Sequence, residues 1–153
     1  MKKIGIKLLL LAALAAAFGF SYAEDVTGQL SNQMIRLHII ANSDSDYDQA
    51  LKLELKDSIN HLIGKMVQDA DTKTEAEEII QNSLPEIEAY ANRFLEEKEA
   101  PYSASAQYGH FDFPTKNYEN VTLPSGTYDG LKINLGSGTG KNLSLIHILR
   151  NSL

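Results

Sequence analysis

The spacing of apolar residues changes period twice along this chain, and that change restricts the fold more than any other feature. "MIRLHII", Met34 to Ile40, alternates: Ile35, Leu37 and Ile39 point one way, Arg36 and His38 the other. This predicts a strand with one buried face. "ANSDSDYDQ" then breaks the alternation with turn and cap residues. From about Asp46 to Val67 the apolar positions step by three and four, through Leu51, Leu55, Ile59, Leu62 and Met66, which is one stripe of a helix. Ser45 or Asp44 can cap its start, acids in the first turn suit the helix dipole, and Gly64 weakens its end.

A second helical region follows. Thr74 with Glu77, and Ser83 with Glu86, have capping-box spacing, and Pro85 fits the first turn of a helix begun at Ser83. The pattern predicts two helices, about 75–82 and 84–98, or one kinked helix, burying Ile79, Ile80, Leu84, Ile87, Ala91 and Phe94. After Pro101 the period returns to two: Tyr102, Ala104, Ala106, Tyr108 and His110 share one parity, and Leu131, Ile133 and Leu135 another. Between these strands, "PTKNYENVTLPSG" is rich in turn residues, so the two form a hairpin-like pair. The expected fold is therefore α+β: a two-layer domain with a small, about three-stranded, mainly antiparallel sheet against two or three helices.

The ends differ from this body. Lys2, Lys3 and Lys7 precede the uninterrupted apolar run Leu8 to Phe20, and Ser21 and Ala23 flank a small-residue cleavage point. That is the layout of a secretory signal peptide over residues 1–23, too short as a helix for the ~30 Å core of a bilayer. Residues 24–33 read as a linker and 34–142 as the single domain. The glycine-rich segment "GSGTGKN" ends it. Residues 143–153, "LSLIHILRNSL", run apolar with no turn or cap, and read as a truncated or foreign tail, expected to be disordered or poorly packed.

Composition narrows the function. The chain carries 14 basic and 20 acidic residues, and loss of residues 1–23 leaves 11 basic, a formal charge of −9. Such a chain lacks the basic face that nucleic acid requires. With no cysteine, it has no disulfide, thiol nucleophile or zinc–thiolate site. Asp44, Asp46 and Asp48 have the spacing of a calcium loop, but Gln49 and Leu55 stand where the loop needs glycine and glutamate. Gly136, Gly140 and Lys141 miss the spacing of a phosphate loop, and Asn142 replaces its hydroxyl residue. The four histidines, at 38, 61, 110 and 147, form no metal-binding pair, and no serine sits in a nucleophile elbow. No cofactor, metal or small-molecule substrate is expected. The aromatic segment Gln107 to Gly130 fits a partner-contact surface, since rigid aromatics bury much area at low entropic cost. Part of it is equally suited to the core, leaving Lys116 and Tyr118 exposed. A cell-envelope hydrolase using His38 or His110, and a wall-binding module, are the alternatives.

Two long stretches carry a resemblance. They are "IRLHIIANSDSDYDQALKLELKD", from Ile35, and "YGHFDFPTKNYENVTLPSGTYDGLKINLGSGTGKN", from Tyr108. Their distinctive parts are Ala41-Asn42-Ser43-Asp44-Ser45, Asp48-Gln49-Ala50-Leu51-Lys52, Gly109-His110-Phe111, Phe113-Pro114-Thr115-Lys116 and Leu123-Pro124 with Gly126 and Tyr128. These resemble the stage II sporulation protein R family of endospore-forming bacteria. The resemblance implies a signalling protein, not an enzyme, exported across the forespore membrane into the intermembrane space. Its implied partner is a membrane-embedded aspartic protease of the mother cell, which then processes the precursor of sigma factor E. Family-like residues are Arg36, His38, Asn42, Asp44, His110, Phe113, Pro114, Thr115 and Lys116, with no catalytic role to transfer. Several are expected to form or support the receptor-facing surface. The family's aromatic, cysteine-bearing tail has no counterpart after Asn142.

Overall fold

The computed structural model describes residues 34–117 and 122–148. The expected signal peptide and linker, Tyr118 and the last five residues lie outside them. The chain builds β1 (Met34–Ile40), three helices α1 (Asp46–Met66), α2 (Lys73–Asn82) and α3 (Leu84–Glu97), then β2 (Ala104–Phe113), the short β3 (Lys116–Asn117) and β4 (Thr122–Leu123), β5 (Gly126–Leu135) and β6 (Asn142–Ile148). The main sheet has the order β2-β5-β1-β6, and β3 pairs with β4 alone.

The first two helices start where a side chain satisfies free backbone N–H groups. Ser45 caps α1 by accepting from the Asp48 amide, with Asp46 and Asp48 in the first turn. The stripe Leu51, Leu55, Ile59 and Ile63 is buried, while Leu62 and Met66 flank it, half-buried. The α2 capping box is Thr72 with Glu75, two residues before the expected Thr74 with Glu77. Both pairs have the right spacing, but Glu77 is engaged by Lys73 at 3.3 Å. Ser83 makes no side-chain cap. It still closes α2, its amide bonded to the Ile79 and Ile80 carbonyls, so α3 begins directly on its back with Pro85 in the first turn.

The helices cover one face of the sheet. Ile35, Leu37 and Ile39 of β1 and Leu131, Ile133 and Leu135 of β5 meet Leu55, Ile59, Ile80, Ile87 and Leu95 in one cluster. Each such side chain contributes roughly 1.5–3 kcal/mol by leaving water. This is the expected two-layer α+β domain.

Two details go beyond the sequence reading. β1 runs parallel to β5, while β2–β5 and β1–β6 are antiparallel. The fourth strand comes from the expected tail. Residues 143–148 pair along β1, from Asn142 opposite Ile40 to Ile148 opposite Met34. The physical reason is that β1, a central hydrophobic strand, would otherwise present an open edge of backbone donors and acceptors.

Candidate functional site

β1 is buried on both faces, not one. On the face away from the helices, the turn-rich connection between β2 and β5 folds back as a flap. Phe113, Leu123 and Tyr128 are 3%, 0% and 2% exposed, and beneath them Arg36 is 0% exposed. The Arg36 guanidinium lies 4.0 Å from the Phe113 ring centre and 4.8 Å from that of Tyr128. The two rings meet edge to face at 6.0 Å. Their electron-rich faces offset part of the cost of removing a cation from water. The Tyr128 hydroxyl donates to the Pro124 carbonyl at 2.8 Å, which anchors the flap. Gly130 leaves room for it: a Cβ there would meet the Arg36 carbonyl oxygen at 2.8 Å, with the Phe111 and Phe113 rings at 3.5 Å. His38 packs on Phe113, ring centres 5.3 Å apart. Its Nδ1 is buried with no hydrogen-bond partner among the described residues. Burial, then the charges of Lys132 and Arg36, hold its pKa below the ordinary 6.5.

The second group lies at the ends of β1 and β5. Asp48, 4% exposed, accepts from Asn42 Nδ2 at 2.9 Å, Ser43 Oγ at 2.5 Å and Tyr102 OH at 2.5 Å. Asn42 in turn grips the glycine loop. Its Oδ1 accepts from the Ser137 amide at 2.9 Å, and its carbonyl accepts from the Ser137 and Thr139 hydroxyls at 2.7 and 2.9 Å. Gly136, at φ 55, is required here, because a Cβ would sit 2.2 Å from Asn42 Oδ1. Asp44 accepts from the Lys141 amide at 2.6 Å, and Lys52 donates to the Lys141 carbonyl at 3.0 Å. Two of the three aspartates spaced like a calcium loop, Asp44 and Asp48, thus have oxygens turned to protein donors, and the glycines resembling a phosphate loop form one side of a clasp.

Of the nine family-like residues, then, Arg36, His38 and Phe113 form a second core, and Asn42 and Asp44 hold the clasp. Arg36, His38 and Phe113 are buried, Asn42 is half-buried and Asp44 is exposed. The other four are exposed too: His110 on the helix side of β2, beside Asp129, and Pro114, Thr115 and Lys116 at the start of the flap. Thr115 Oγ1 accepts from the Ser125 amide at 3.1 Å, holding the flap's two limbs together. His110, its side chain 77% exposed, places Nδ1 2.6 Å from Asp129 Oδ1. Asp129 also accepts from Lys73. Burial raises the Asp129 pKa, but Lys73 and His110 outweigh it and set the carboxyl below its ordinary range. His38 pairs with Lys132, and His110 with Asp129. Lys132 and Asp129 are three positions apart on β5 and so point to opposite faces, which keeps the two histidines from sharing a site.

Sequence reasoning named Asp48 without assigning it a role, and missed Tyr102, Ser137 and the Lys73–Asp129–His110 group. Asp48 was visible within the Asp48–Lys52 motif. The others join residues far apart in the chain, with no local signal.

This geometry defines a small α+β domain many of whose distinctive residues hold its own loops and second core, while others are exposed on the flap and on β2. The sequence profile describing stage II sporulation protein R matches residues 31–146, and the chain belongs to that family. It is 38% identical over 150 residues to the stage II sporulation protein R of Bacillus subtilis (strain 168), covering 93% of this chain and 67% of that protein. No solved structure matches the chain. The family is named for a stage of sporulation rather than for a reaction, and membership gives this chain a sporulation role.

Proposed function

We propose that this chain is an exported signal that activates a membrane-embedded aspartic protease, leading to processing of the sigma-E precursor. It crosses the forespore membrane and acts in the intermembrane space. The observation that carries the reading is the family membership over residues 31–146. The exposed start of the flap is compatible with it: Pro114, Thr115 and Lys116 project from a flap braced by a buried aromatic core, so little order is lost on docking. Activation requires only that the domain bind the active arrangement of the protease more tightly than the inactive one. The test is co-expression of the exported domain, the protease and its precursor substrate. Processing is expected only when all three are present, and equal processing without the domain would refute the proposal.

One observation favours a second reading. The His110–Asp129 pair has the geometry that fixes a general base in one tautomer. A cell-envelope hydrolase built on it would show turnover by the purified domain that disappears in His110→Ala. His38 has no part in such a site.

A further inference from the structure

The sheet order leaves β2 at an edge. Its odd-numbered residues bond to β5, and its even-numbered residues turn their backbone N–H and C=O outward, as Ala104 and Ala106 show. α3 covers those two. Asn92 donates to the Ala104 carbonyl at 3.1 Å and accepts from its amide at 2.8 Å. Glu88 accepts from the Ala106 amide at 2.9 Å. Beyond Ala106 this cover stops. No described group bonds the outward backbone of Tyr108, His110 or Asp112. Exposed strand edges are ordinarily blunted, and here the first half is guarded and the second is open.

Charge indicates what the open half takes. The Lys132 ammonium lies 5.3 Å from the Phe111 ring centre, and Lys116 is exposed on the adjacent flap. Neither makes an ion pair with an acid among the described residues, in a chain of net charge −6.

We propose that the Tyr108–Asp112 edge receives an extended, acidic segment of the receptor as an added fifth strand of the sheet. The inference rests on the activator reading and gives it a surface. Main-chain hydrogen bonds to Tyr108, His110 and Asp112 supply affinity, and Lys132 and Lys116 select acidic side chains on the Phe111 face. Five residues of edge span roughly 17 Å.

The test uses the purified exported domain, vesicles carrying the co-expressed protease, and empty vesicles. His110→Pro deletes an outward amide while keeping the Gly109 and Phe111 bonds to β5; His110→Ala removes the same side chain and keeps the amide. With both variants folded by circular dichroism, His110→Pro should bind about ten-fold more weakly than His110→Ala. Lys132→Glu should weaken binding and flatten its salt dependence. If the proline variant does not fold, amide exchange of the wild-type domain decides. The Tyr108, His110 and Asp112 amides should slow with protease vesicles and not with empty ones. Equal processing by His110→Pro and His110→Ala, or unchanged exchange at those amides, would overturn the edge while leaving the activator reading intact. Absence of processing with the wild-type domain would overturn the activator reading itself. A dimer formed through this edge in sedimentation would overturn the receptor as its occupant.

Discussion

Replacing Asp48 tests the clasp directly. Its carboxylate is buried and accepts three side-chain hydrogen bonds, from Asn42, Ser43 and Tyr102. Hydrogen bonds to a charged group contribute about 1.5–3 kcal/mol each, but these share one network and do not add. Asp48→Ala leaves three donors facing a small void, so we expect a loss of about 3–4 kcal/mol. Asp48→Asn keeps the shape and part of the bonding without the charge, and should cost about 2 kcal/mol. Tyr102→Phe should cost about 1–2 kcal/mol in the wild type and almost nothing in Asp48→Ala, because its partner is already gone. pH supplies an independent check. Burial raises the Asp48 pKa, yet the bonds from Ser43, Tyr102, Asn42 and Ser45 outweigh it, and the pKa lies below the ordinary 3.8. As pH falls the unfolded chain binds the proton first. The contribution of Asp48 is therefore complete well above 3.8 and is lost as pH falls through the folded value. Urea titrations at pH 7 and at about pH 2 should show the gap between wild type and Asp48→Ala narrowing at the lower pH. A gap under about 1 kcal/mol at pH 7, or one unchanged by acid, would refute this account of the clasp.

Three further outcomes follow from the same geometry. Phe113→Ala should lose about 3–5 kcal/mol in chemical denaturation, since it removes a buried ring and uncovers the Arg36 guanidinium. His38, with its pKa held below 6.5, contributes stability that is complete above that value and is lost as pH falls through and below it. Thermal melts of the wild type should therefore decline between pH 7 and about 5 more steeply than those of His38→Gln. Gly136→Ala should cost about 1–3 kcal/mol through its left-handed backbone and the collision with Asn42, and melts of the variant should show it.

The periods of two and 3.6, the cap residues and the turn-rich connection were sufficient to place β1, the three helices, β2 and β5, because each signal resides within one segment and its neighbours. The α2 boundary moved by one capping box because two threonine–glutamate pairs of equal spacing overlap, and only Lys73, by engaging Glu77, separates them. Strand order was not legible in the same way. Pairing of β1 with β5 in parallel, and of β6 with β1, joins residues about a hundred positions apart, and nothing local encodes such a partner. The nine candidate positions were legible as a set through family resemblance. Their roles were not, since an arginine and a histidine on the polar side of an alternating strand look solvent-facing until a flap from elsewhere in the chain covers them. The sequence by itself therefore determined the segments and the family, because periodicity, caps and motifs are local properties of the chain. Only the tertiary structure decided that Arg36 and Phe113 are core, that Asn42 and Asp44 close a loop, and that part of β2 is left unguarded by the described residues, because burial and hydrogen-bond partnership exist only between segments.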